Sequence, residues 1–303
     1  MGDTDPLFEL RNLFLIGNYQ AAINEGLTLD HLPEAYKVER DVIIYRSYIA
    51  KGDYNIVLEE IKDSNPNAAL VAVKALASYL SSERNKDIVL TTIKSWPSDP
   101  RMVNNDVVQL VSGLISFYEE NYDEVFRALH QSRSLEGRAL LVRAFIQIDR
   151  LDLAQKELGT MQGIDDDATA TQLATAWLDI ALGGEKLEEA FFILTELTEK
   201  WNSTPLLLNG LASVHLKRLD KPDEPKNAEK LLLQAMEKNP NDVDTLVNLV
   251  ALYQHMGKPK EVVNRYLNQA KARTPKHPYI KELELLEQSW ERLVSRFSPT
   301  QAS

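Results

Sequence analysis

The side chains with the most reactive chemistry in this sequence are few and dispersed. Five histidines, His31, His130, His215, His255 and His277, offer imidazole for metal ligation or proton transfer. No two stand at i, i+4, and none has a second ligand type at metal-site spacing. With zero cysteines there is no thiolate for a metal, no disulfide and no cysteine nucleophile, a composition that suits a reducing compartment. Asp165-Asp166-Asp167 is a dense acidic run without the glycine and closing glutamate of a calcium loop. It is expected to cap the helix that follows, where carboxylates accept free backbone N–H groups. Gly257-Lys258 precedes Pro259 and has no upstream glycine at phosphate-loop spacing, and neither G-x-G-x-x-G nor G-x-S-x-G occurs. Asn202-Ser203-Thr204 matches a glycosylation acceptor but runs into Pro205, and it reads as a turn between helices. These patterns predict no catalytic centre, no metal and no cofactor.

The elements that would position any such residue follow from a turn motif that returns about every 34 residues. It reads Gly17-Asn18-Tyr19, Gly52-Asp53-Tyr54, Asn121-Tyr122, Arg150-Leu151, Lys186-Leu187 and Lys258-Pro259. Three residues after each comes a small or β-branched side chain: Ala22, Val57, Val125, Ala154, Ala190 and Val262. That period means stacked helical hairpins of the tetratricopeptide kind. Helical spacing pairs 7–16 with 19–26, 40–50 with 54–61, 68–80 with 86–95, 105–118 with 122–130, and 139–148 with 151–161. Gly183-Gly184 divides a further hairpin over 167–198. In the next unit Lys217 to Lys226 forms an enlarged turn, because Pro222 and Pro225 cannot continue a helix. Pro240 and Pro275 bracket the last unit.

The fold class predicted is all-α: a right-handed α-solenoid of about eight tetratricopeptide-like hairpins with a C-terminal capping helix. One domain is expected over 1–303, with hairpins to 274. A final amphipathic helix over 275–298 carries Ile280, Leu283, Leu286, Trp290, Leu293 and Phe297. Repeat arrays present extended surfaces to other polypeptides, which favours a scaffold over an enzyme.

Charge and composition narrow the partners. With 34 Lys+Arg against 45 Asp+Glu the formal charge is −11, which opposes phosphate backbones and anionic lipid heads. Direct nucleic-acid binding and membrane insertion are therefore not expected. No stretch approaches 18 apolar residues, Met1 to Pro6 lacks an apolar signal core, and Pro6 stands where a myristoylation motif wants Ser or Thr. The expected compartment is the cytosol.

Candidate binding residues come from the first helix of each hairpin, which lines the concave face of such an array. In the fourth unit they are Val107, Leu110, Leu114, Phe117 and Tyr118. The seventh unit supplies Leu207, Leu211, Val214 and His215, and the eighth Val247, Ala251, Gln254 and His255. An apolar groove is costly to leave wet, so these predict a buried polypeptide ligand. The alternative is that some belong to the core between repeats, a shift of register of one or two residues.

With the repeats registered, the chain resembles the epsilon subunits of coatomer along its whole length. The likeness rests on Leu7-Phe8 through Ile16-Gly17-Asn18-Tyr19-Gln20, Val38-Glu39-Arg40-Asp41, Ala128-Leu129-His130-Gln131 and Asp149-Arg150-Leu151-Asp152-Leu153-Ala154. Thr171-Gln172-Leu173-Ala174-Thr175-Ala176-Trp177 and Asn264-Arg265-Tyr266-Leu267-Asn268-Gln269 are specific strings outside the tetratricopeptide consensus. The resemblance implies a non-enzymatic subunit of the COPI coat on Golgi-derived vesicles, peripheral on the cytosolic side of Golgi membranes. It also implies a direct partner, the C-terminal domain of the alpha subunit, with the epsilon solenoid curling around a protruding segment of that domain. The other coat subunits and the small GTPase Arf would be met through the coat, in traffic from Golgi to endoplasmic reticulum and within the Golgi. A competing expectation is a general adaptor for short acidic peptides, which requires a basic clamp along the groove. The groove positions above are largely apolar.

Overall fold

A computed structural model describes residues 5–275 and 277–297. The chain divides into two compact units, Met1–Ser203 and Thr204–Ser303, where the repeat pattern predicts one continuous array. Both are built of helical hairpins, and no strand occurs among the described residues. The first unit holds α1 (Phe8–Leu15), α2 (Tyr19–Thr28), α3 (Glu34–Lys51), α4 (Tyr54–Glu60), α5 (Ala68–Ser81) and α6 (Glu83–Ser95). After a 3-10 turn at Trp96–Ser98 come α7 (Asp106–Tyr118), α8 (Tyr122–Leu129), α9 (Leu135–Gln147), α10 (Leu151–Ile164), α11 (Thr169–Leu182) and α12 (Lys186–Trp201). The second unit holds α13 (Pro205–Leu216), α14 (Glu224–Lys238), α15 (Val243–His255), α16 (Lys260–Arg273) and α17 (Pro278–Phe297).

Local chemistry explains where the first helices start. Asn67, Asn105, Ser134, Thr204 and Asp242 each accept a bond from a backbone N–H of the first turn, as at Thr245 N to Asp242 Oδ2, 2.9 Å. Several first helices end where the backbone turns left-handed: α1, α3 and α15 at Gly17 (φ +80°), Gly52 (+86°) and Gly257 (+64°), without a Cβ penalty, and α7 and α9 at Glu120 (+59°) and Asp149 (+58°), at some strain, whereas α5 and α13 end without such a residue. In α2, α4, α8 and α10 the fourth residue, and in α12 the fifth, packs inward at the start of the second helix. Ala22, Val57, Val125, Ala154 and Ala190 are all fully buried there, as the motif predicts. At the last turn the register moves by one. Pro259 is the N-cap of α16 rather than its first residue, so Val263 takes the buried place and Val262 lies at its edge.

Three sequence expectations change. The Asp165–Asp167 run does not cap α11, whose N-cap is Ala168 with no side-chain bond; Asp165 Oδ1 instead accepts from Asp167 N, 3.1 Å, and shapes the turn. Pro225 lies inside the first turn of α14, where its missing N–H has no helical partner to lose, so the enlarged turn ends at Asp223. A His215–Glu224 contact ties that turn across its base. The capping helix caps with its first turn only. Ile280 is buried and Tyr279 packs on the second unit's core, but Leu286, Trp290 and Phe297 are 67%, 68% and 82% exposed.

Asp179 in α11 is 3% exposed, and its Oδ2 has no hydrogen-bond partner. Desolvation, reinforced by Glu189 and opposed by Lys186, pushes its pKa up to about 6. The folded state thus holds this proton more tightly than the unfolded chain. Its contribution to stability is complete at acid pH and is lost as pH rises from about 4 through 6. Asp179→Asn is expected to stabilise the protein at pH 7 by about 1–3 kcal/mol and to remove that slope, as read by thermal melts across pH.

Candidate interaction surface

Within the first unit the first helices of successive hairpins, α1, α3, α5, α7, α9 and α11, each pack on the next. The series closes on itself, because α1 meets α11. Asn12, 6% exposed, accepts a 2.5 Å bond from Thr169 Oγ1, and the Phe8 and Trp201 rings lie 6.0 Å apart beside it. A second bond spans the ring. Arg46 of α3 donates to Glu136 at the start of α9, with Nη1 to Oε2 at 2.9 Å and Nη2 to Oε1, while its guanidinium stacks 4.6 Å from the Phe14 ring. Such a bidentate pair fixes distance and orientation together.

The ring borders a half-open cavity of about 840 Å³, lined by Phe14, Val38, Val42, Val107 and Leu110 together with Arg11, Glu39, Asp106 and Lys200. Its lining mixes these apolar side chains with polar ones such as Asn12, Arg46, Glu136 and Thr169. Further along α7, Phe117 lies 5.0 Å from the Arg143 guanidinium. Tyr118 is 49% exposed and stacks on Tyr79 at 6.3 Å. Desolvation nevertheless raises the Tyr118 pKa, with Arg143 opposing and Tyr54 adding to the rise. A smaller cavity of about 570 Å³, lined by Trp96, Met102 and Val108, lies outside this ring between the 3-10 turn and the α7–α8 hairpin.

The structure therefore gathers some of the sequence-selected residues and separates others. Val107 and Leu110 line the ring cavity, and Leu114, Phe117 and Tyr118 continue along α7. In the second unit Leu207 and Val214 are fully buried, Leu211 is 6% and Val247 8% exposed, so these four are core side chains of their own hairpins. Ala251 is half-buried, and Gln254 and His255 face solvent at the end of α15. His215 is held by Glu224. Sequence reasoning missed Arg46 and Glu136, which are 90 residues apart and carry no local signal. It also missed the return of α1 to α11. Among the described residues no group of three or more His, Asp or Glu side chains could hold a metal ion, and no helix is long and apolar enough to cross a membrane.

Comparison with known proteins gives this geometry its context. A family model described as the coatomer epsilon subunit matches residues 3–298. The chain is 41% identical over 300 residues to coatomer subunit epsilon-1 of Arabidopsis thaliana, covering 98% of this chain and 99% of that protein. It is 41% identical over 303 residues to coatomer subunit epsilon of Dictyostelium discoideum (97% and 99% covered) and 32% identical over 291 residues to that of Caenorhabditis elegans (96% and 98%). Among solved structures, a tetratricopeptide repeat protein from Parabacteroides merdae superposes with a TM-score of 0.59 at 14% identity, covering 82% of this chain and 97% of that one. The APC/C assembly Cut9–Hcn1 gives 0.58 at 14% identity, with 89% and 53% covered. At that identity the likeness is one of fold, and it is the α-solenoid of tetratricopeptide repeats.

Proposed function

Because the chain belongs to the coatomer epsilon-subunit family, we propose that it serves the COPI vesicle coat as a scaffold and not as a catalyst. Its direct partner in this reading is the C-terminal domain of the coat's alpha subunit. The ring of first helices would curl around a protruding segment of that domain, with Val107, Leu110 and Tyr118 against it. The other coat subunits and Arf are reached through the coat. The protein acts on the cytosolic face of Golgi membranes, in traffic from Golgi to endoplasmic reticulum and within the Golgi.

The observation that carries this reading is the series of first helices that returns from α11 to α1 around a cleft lined by apolar side chains of α1, α3 and α7 among polar ones. A polypeptide segment lying in this cleft would cover Phe14, Val38 and Val107 while meeting Asp106 and Lys200 at its edge. A general adaptor for acidic peptides is less well supported, since Arg46 is already committed to Glu136 and Arg11 to Glu39.

The test is co-purification with the C-terminal domain of the alpha subunit, wild type beside Val107→Asp. Val107 is the second residue of α7, where an acidic side chain suits the helix dipole, so the substitution places a charge in the cavity without penalising the helix. Binding is expected to weaken about tenfold or more, the effect of one uncompensated charge in an apolar contact. Unchanged binding by a folded variant would move the interface off the ring, and no wild-type binding would return the adaptor reading.

A further inference from the structure

Helix α17 carries more exposed apolar surface than any role described so far uses. Tyr279, Leu283, Leu286, Trp290, Leu293 and Phe297 recur at alternating steps of four and three, the a/d repeat of a coiled-coil seam. From Leu286 onward these side chains are 49–82% exposed. Over so short a helix the drift between a straight α-helix and a heptad seam, about 20° per heptad, leaves the stripe continuous. The seam is built to be covered by another helix.

We propose that it is covered by α17 of a second copy of this chain, paired antiparallel. In that register every layer matches a d position with an a position. Leu283 meets the partner's Leu293, Leu286 meets the partner's Trp290, and Tyr279 meets the partner's Phe297. Trp290 and Phe297 from both copies bury about 150–250 Å² each, which brings four rings alone close to the area of a small specific interface.

Charge selects the orientation. Flanking the seam, Glu282 falls beside the partner's Arg296, and the dyad makes this contact twice. Neither residue takes an ion pair among the described residues of its own chain. A parallel pair would instead set Glu282 beside the partner's Glu287, a repulsion made twice. The antiparallel register has one like-charge contact, Glu287 against its own copy at the dyad, so Glu287→Gln is expected to tighten it.

The experiment is analytical ultracentrifugation of the full chain, together with cross-linking that exploits its lack of cysteine. The weight-average mass is expected to climb from 34.3 kDa towards twice that value as concentration rises through the micromolar range. Trp290→Ser, at a position 68% exposed and hence safe for folding, should hold the chain monomeric. Glu282→Arg should weaken association about tenfold and Glu282→Arg/Arg296→Glu should restore it. A mixture of Glu282→Cys and Arg296→Cys chains should form a disulfide-linked heterodimer. A monomer at every concentration overturns the proposal. So does association that survives Trp290→Ser, or a mixture that fails to cross-link. A monomer whose α17 gains protease protection only on adding the C-terminal domain of the alpha subunit also overturns it, and assigns the seam to that partner.

Discussion

Replacing Glu136 by alanine is expected to destabilise the first unit by about 2–4 kcal/mol. Arg46 is the reason. Its side chain is 10% exposed, and it cannot shed its proton, so without Glu136 it remains a buried cation with no counter-charge. Glu136 is itself 33% exposed, which lets water screen part of the pair and keeps the expectation at or below the usual range for a fully buried one. In a unit of this size the loss corresponds to a fall in melting temperature of about 5–10 °C. The double substitution Arg46→Met/Glu136→Leu removes both charges and should recover most of it, because the penalty lies in the orphaned cation. Recovery in the double variant, measured beside both singles by calorimetry, separates this account from simple loss of packing. A double variant as unstable as Glu136→Ala would contradict it.

The second large effect is expected at Asn209→Leu, a change of similar volume that destabilises the second unit by about 2–3 kcal/mol. Asn209 is 8% exposed on α13 and joins it to α15 through a polar network with every member paired. Its Nδ2 reaches Thr245 Oγ1 at 2.7 Å, Asp242 Oδ2 at 3.1 Å and Pro205 O at 2.8 Å, and its Oδ1 accepts from Asn248 at 2.9 Å. Leucine leaves the Asn248 amide without its acceptor and Thr245 Oγ1 without its donor. Half-satisfied networks cost more than apolar packing of the same shape. The loss should appear in hydrogen exchange across α13 and α15, and protection of their amides unchanged from wild type would refute it.

What could be read from the sequence followed from how local each determinant is. The hairpins were legible because a left-handed terminator, a polar cap and a small fourth residue recur within one turn of each other, as at Gly52, Asp53 and Val57. Boundaries failed where one residue changed the cap. The first helix of the second hairpin begins at Glu34, six residues before the start read from the apolar periodicity, with Pro33 as its N-cap and exposed or only partly buried side chains in its first turns. On α7 the pattern marked one apolar helix face, of which Val107 and Leu110 line the cavity while Leu114 and Phe117 pack against core side chains. It was misread on α13, because in Leu207, Leu211 and Val214 both faces of the helix are apolar and periodicity cannot say which is inside. Arg46, Glu136, Asn12 and Thr169 were invisible, since pairs joined only by the path of the chain leave no mark in a window of one helix.

The return of α1 to α11 also bears on how the molecule folds. Nearly every other contact of the first unit joins neighbouring hairpins, so each can form as soon as its own residues are available, in microsecond-scale steps. The Asn12–Thr169 bond is different: it joins residues 157 apart and gains nothing until all the intervening hairpins have stacked. Closure is then the last event of folding and the first to be lost on warming. The earliest amides to exchange should be those of α1, ahead of its neighbours in sequence and together with the start of α11.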